Sequence, residues 1–117
     1  MTLMVQDLAA GRKNAQIGTE LVLETDAMRV WHLRLAPGET IPPHRYDRPY
    51  VWTILTDGYG VSRFDDGRVV EIAYKAGDTK NFPDLTPETG FIHDLTNTGE
   101  TELVFVTVEF NTEGTKQ

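Results

Sequence analysis

The chain has 117 residues, 39% of them hydrophobic and 25% charged, which suits one domain with one real hydrophobic core. Its 18 acidic and 11 basic residues leave a formal charge of −7 with the basic residues scattered, which argues against a nucleic-acid partner, since phosphate backbones need a basic face. No cysteine is present, which removes disulfides and thiolate metal sites, and no stretch approaches the ~20 apolar residues of a membrane span.

From the N-terminus, Met1–Asp7 shows no basic region followed by an apolar core, so the expectation is a cytoplasmic protein with no membrane partner. Val5–Lys13 is the best short helical candidate; nothing longer carries a 3.6-residue period. Strands are expected near 18–24, 28–35, 50–56, 59–64, 68–74, 90–96 and 102–110. They are set off by turn signals at Ala36-Pro37-Gly38, Thr56-Asp57-Gly58, Asp65-Asp66-Gly67, Ala76-Gly77-Asp78 and Asn97-Thr98-Gly99-Glu100, a rhythm of sandwiches and barrels. Asp66-Gly67 predicts a hairpin, because both residues tolerate the positive φ of such turns. Trp31, Leu33 and Leu35 alternate with Val30, His32 and Arg34, so His32 falls on the polar face as a surface or interface residue. Leu103–Phe110 is apolar on both faces. A second copy covering the outer face would explain that and predicts a homodimer; a cap formed by the chain's own N-terminal segment is the alternative.

Candidate chemistry gathers around the middle of the chain. His44 and Tyr46 share a strand face, as do Tyr50, Trp52 and Ile54, because residues i and i+2 point the same way. Tyr50 and Trp52 are candidates for a pocket wall, with core packing an equal explanation of Trp52. Arg45 and Arg48 flank the entrance, with guanidinium groups suited to bidentate carboxylate binding, while solvated surface charge is the expected role of at least one of them. Asp47 lies on the opposite face unless a bulge near Arg48-Pro49 turns it inward. Ser62 is the only serine, and neither a nucleophile elbow nor a phosphate-cradling loop is present.

Two segments carry a family resemblance. Gly38, five residues, His44, then Tyr46 and Gly58 resemble the first signature of the cupin superfamily. Gly77, five residues, Pro83, and then Gly90, two residues, His93, three residues and Asn97 resemble the second. The resemblance covers roughly residues 28–110 and implies an all-β, double-stranded β-helix (jelly-roll) barrel, with 1–117 as a single domain and the N-terminal segment packed on the barrel or a dimer partner. Within the superfamily, Pro43–Trp52 and His93–Gly99 look like small cupins associated with β-alanine degradation. The chain departs from the pattern at Tyr46, where a second histidine belongs, and at Tyr50 or Val51, where a glutamate belongs. It also inserts Asp84–Thr89 between Pro83 and Gly90, a loop expected at the barrel mouth.

The resemblance implies His44 and His93 as imidazole ligands for a divalent metal, Fe, Mn, Ni or Zn. Tyr46 would join them only as a phenolate. Two imidazoles fall short of the three protein ligands of an ordinary catalytic centre. The leading expectation is a small cupin with a barrel pocket for a small organic molecule, a metal-assisted enzyme acting on a small organic acid. His93, Tyr46 or Tyr50 would move protons there, with Trp52, Arg45 and Arg48 holding the ligand. Two alternatives stay open: a metal-free binding or sensing module, and a packing-only barrel that acts through its dimer surface.

Overall fold

The computed structural model describes Gly11, Asn14 and residues 16–111. The helical candidate Val5–Lys13 therefore lies, apart from Gly11, outside the described residues. Nine strands follow in order: β1 (Glu20–Glu24), β2 (Met28–Leu35), β3 (Thr40–Tyr46), β4 (Tyr50–Ile54), β5 (Gly58–Arg63), β6 (Val69–Tyr74), β7 (Thr79–Phe82), β8 (Phe91–Asn97) and β9 (Leu103–Phe110). They form two antiparallel sheets, β1-β2-β9-β4-β7 and β3-β8-β5-β6, whose inner faces enclose the core. This is the all-β barrel expected from the turn rhythm.

Each of the seven expected runs contains a strand; β3 and β7 were not among them. β3 hides behind Pro42-Pro43, two residues without an N–H, and is admissible because it is the outer edge of its sheet. Its pairing with β8 shifts register between Ile41 and His44, so the irregularity falls here and not at Arg48-Pro49. β7 is a short edge strand with only Phe82 apolar, too weak a pattern to read. The Asp66-Gly67 hairpin forms as expected, with Gly67 at φ 93° and its N–H donating to Phe64 O.

The alternation in β2 sends Trp31, Leu33 and Leu35 inward and leaves His32 outside, near Glu20. Leu33, Leu35, Ile41, Ile54, Tyr74, Leu95, Leu103 and Phe105 fill one half of the core. Ile17, Trp31, Tyr46 and Tyr50 fill the other, and Leu85 of the inserted loop packs against them. The described part of the N-terminal segment lies on β3: Asn14 O accepts from Arg45 N–H and Asn14 Nδ2 donates to Pro43 O. β9 is the middle strand of the five-stranded sheet, which explains its inner apolar face. On the outer face Val30, Val108 and Val51 form one row across β2, β9 and β4, with Val106 beside it. No described helix is long and apolar enough to cross a membrane.

Candidate functional site

A cavity of about 550 Å³ opens between the sheets. His44, Tyr46, His93, Tyr50 and Trp52 all line it, and Arg68 and Lys80 stand among its charged residues. The strand geometry that gathers the first set is simple. His44 and His93 are Cα partners across β3 and β8, and Tyr46 pairs with Phe91, two residues along on each strand. Tyr50 and Trp52 arrive from β4 in the opposite sheet. Gly90 allows the close approach this needs, since a Cβ there would lie 2.5 Å from Tyr46 O.

Hydrogen bonds fix the protons. His44 Nδ1 lies 2.6 Å from Pro42 O, and a carbonyl only accepts, so Nδ1 carries the hydrogen. The neutral ring then has its lone pair on Nε2, which accepts from Tyr46 Oη at 2.9 Å. Burial lowers the His44 pKa to about 4, against smaller opposing effects of the Pro42 bond and Asp94. His93 is held well below its ordinary value by burial, then by His44 and Arg68. Burial pushes Tyr46 well up, helped by Tyr50, Glu109 and Tyr74, and it does the same to Tyr50 with help from Tyr74. Near neutral pH the cavity floor is therefore two neutral imidazoles and two intact phenols.

His93 differs from its neighbours. Its ring packs edge-on to Tyr46 and Phe91 and tilted against Phe64, yet it makes no hydrogen bond among the described residues. Nδ1 is sealed from solvent without a partner. Tyr50 stacks on Phe82 with ring centroids 4.6 Å apart, and Tyr46 stacks on Phe91. Of the three residues expected to move protons, Tyr46 has its hydrogen committed to His44, while Tyr50 Oη and the His93 ring make no hydrogen bond among the described residues.

The metal expectation can be tested on this donor set. Among the described residues no three His, Cys, Asp or Glu side chains gather to hold a metal ion. The His44 lone pair is taken by the Tyr46 hydroxyl, and burial opposes the phenolate that Tyr46 would have to become. Two imidazoles, one already occupied, do not make a complete centre. The residues present do not fit a tightly held divalent metal.

Arg45 and Arg48 stand apart from the cavity. Arg45 faces outward and meets Asp47 at 3.2 Å. Arg48 donates to Asn111 Oδ1 and lies near Asp47 and Glu109. Asp47 is thereby engaged on the surface side and does not turn inward. Glu109, 2% exposed, also accepts from Arg29 and from Trp31 Nε1, which ties the Tyr46–Tyr50 corner to β2 and β9. Asn97 makes turn and connecting bonds, as expected: its Nδ2 donates to Leu35 O and Thr101 O, and its Oδ1 accepts from Gly99 N–H.

The cations that do line the cavity, Arg68 and Lys80, were not singled out from the sequence. A signal existed. Arg68 continues the series Val70, Ile72, Tyr74, all of which line the cavity, and Lys80 precedes Phe82 by two.

No family model and no curated protein matches the chain. Solved structures do. A cupin domain from Bordetella pertussis superposes with a TM-score of 0.68 at 24% identity, covering 85% of this chain and 96% of that one. A conserved protein with a double-stranded β-helix domain from Klebsiella pneumoniae gives 0.56 at 28% identity, over 75% of this chain and 66% of that one. A protein from Thermotoga maritima described as a predicted oxalate decarboxylase gives 0.55 at 29% identity, over 77% and 76%.

Proposed function

We propose that this chain, a member of the cupin superfamily with its double-stranded β-helix fold, binds a small organic acid in the barrel cavity and does so without a metal. The observation that carries the reading is the cavity floor: His44 and Tyr46 satisfy each other, while His93 lines the cavity with its Nδ1 sealed and its Nε2 without a hydrogen-bond partner among the described residues. Pockets of this volume, mostly apolar with a few convergent polar groups, are the usual form of small-molecule sites. The likeness to the protein described as a predicted oxalate decarboxylase supports an acid as the ligand class.

A thermal-shift series with small carboxylates, oxalate and malonate alongside aryl acids, tests the reading. A ligand bound only by the folded state raises the transition temperature with concentration. At least one acid is expected to do so, and His93→Phe is expected to abolish the shift. A panel in which no acid stabilises the protein would overturn the proposal. The metal-free part has its own measurement: protein made without a tag or added metal should carry well below one equivalent of Fe, Mn, Ni or Zn by elemental analysis. A full equivalent that disappears in His93→Ala would restore the metal enzyme.

A homodimer is part of the same proposal. The row Val30, Val108 and Val51, with Val106 beside it, makes an outer apolar stripe over which no described strand lies, and a second copy of that stripe would bury it. Light scattering at micromolar concentration should give twice the chain mass, and Val108→Lys should return the monomer; a wild-type monomer would remove the dimer.

A further inference from the structure

We infer that the cavity is built for a flat aryl monocarboxylate, its carboxylate held at the rim by Arg68 and Lys80 and its far polar end hydrogen bonded by His93. The inference rests on the reading of the cavity as a small-acid site and adds the shape and orientation of the acid.

Three observations converge on it. The first is the rim. Arg68 donates from Nε to Asp66 Oδ2 at 2.7 Å, while its two Nη groups have no protein partner among the described residues. Those amino groups form the end of the guanidinium fork that suits a carboxylate. Lys80 reaches the same cavity from β7, where it pairs with Trp52, and has no ion-pair partner among the described residues. Asp78 also lines the cavity, its carboxylate accepting from Lys75 N–H. Of the charged residues that line the cavity two are basic, Arg68 and Lys80, and one is acidic, Asp78, while Asp66 is held on the Nε side of Arg68.

The second is the span. The Arg68 guanidinium sits 4.3 Å from the Phe64 ring centroid, and that ring is 4.9 Å from the His93 ring. Rim and floor are therefore separated by no more than those two steps together, a gap that a benzene ring with substituents at opposite ends is long enough to bridge. The third is the wall. Much of the apolar lining is aromatic (Trp52, Phe64, Tyr74, Phe82, Phe91), beside aliphatic side chains such as Val70 and Ile72, which favours a flat apolar body by stacked or edge-on contact.

Isothermal titration with 4-hydroxyphenylacetate as the probe tests the orientation, with its uncharged amide, phenylacetate and oxalate as comparisons. The acid is expected to bind about tenfold more tightly than the amide, the size of one charge-assisted hydrogen bond. Arg68→Met and Lys80→Met, both at exposed positions, should each weaken the acid about tenfold and leave the amide unchanged. Phenylacetate should bind more weakly than the hydroxylated acid in the wild type and equally in His93→Leu; His93→Gln, which keeps a polar group, should restore part of the difference. Equal binding of acid and amide, or rim variants without effect, would overturn the inference. Binding of oxalate with none of the aryl acid would overturn it too while leaving the proposed function intact. Binding of neither removes both.

Discussion

Replacing Arg63 with alanine is expected to lower the unfolding free energy by about 3–5 kcal/mol, measured by urea denaturation at unchanged m-value. The reason is Asp94, which is 0% exposed on β8. Its Oδ2 accepts from Arg63 Nε at 2.9 Å and Nη2 at 2.6 Å, while Oδ1 accepts from Arg63 N–H. Removing the guanidinium leaves a full negative charge shut away from water with one backbone donor. The reverse substitution is milder. Asp94→Asn leaves Arg63 with a side chain 30% exposed and able to reach water, so about 1–2 kcal/mol is expected. The paired change Arg63→Met with Asp94→Leu should recover most of the loss, since an apolar pair carries no desolvation cost. A loss under about 1 kcal/mol in Arg63→Ala would show that the carboxylate is hydrated in the folded protein.

Stability is expected to fall by about 3 kcal/mol between neutral pH and pH near 4 on account of His44 alone. The sign follows from the protons. Burial holds the folded His44 pKa to about 4, against 6.5 in the unfolded chain. Above 6.5 both states are neutral and the folded state has its full advantage. Below it the unfolded chain takes up a proton that the folded barrel refuses, so stability is lost as pH falls from 6.5 through about 4. His93 is lowered too and adds in the same direction. Urea titrations at steps from pH 7 to 4 will read this, and His44→Gln should flatten the curve across that window relative to wild type. An identical slope in the two proteins would place the acid sensitivity elsewhere. At the alkaline end the raised Tyr46 and Tyr50 work the other way: stability is full below about 10 and is lost above it, where unfolded tyrosines ionise first.

Much of this arrangement is legible in the sequence, and the illegible parts have physical causes. The alternation Trp31, Leu33, Leu35 determines which face of β2 is buried, because a two-residue period survives any tertiary context. The cupin resemblance that the glycine and proline spacing carries implies His44, Tyr46, Tyr50 and His93 in one pocket, and all four line the cavity. It does so through backbone requirements, as at Gly90, where a side chain would strike Tyr46 O. β3 is hidden by its two prolines, since a propensity reading cannot know that the strand lies at an edge. Arg68 and Lys80 are hidden for a different reason. Each stands at the exposed end of an inward series, and a cation next to apolar residues reads as ordinary surface until the cavity is seen. Arg45 and Arg48 show the converse. Proximity to His44 along the chain suggests the pocket, yet Arg45 alternates with His44 and Tyr46 and so faces away. Glu109 ends a long apolar run, and its ion-pair partner Arg29 is 80 residues distant, beyond any local pattern.

The register shift between Ile41 and His44 has a further consequence. Within the shifted stretch the Pro42 carbonyl meets the imidazole two residues on. The ring's choice of which nitrogen bears hydrogen is thus set by a main-chain carbonyl in the irregular stretch, not by the identity of any side chain in the cavity. A relative that kept every lining residue but closed up the strand by one position would present a different acid–base surface to the same ligand. Comparison of lining residues alone would count the two proteins as equivalent, while their alignment gap would carry the chemistry.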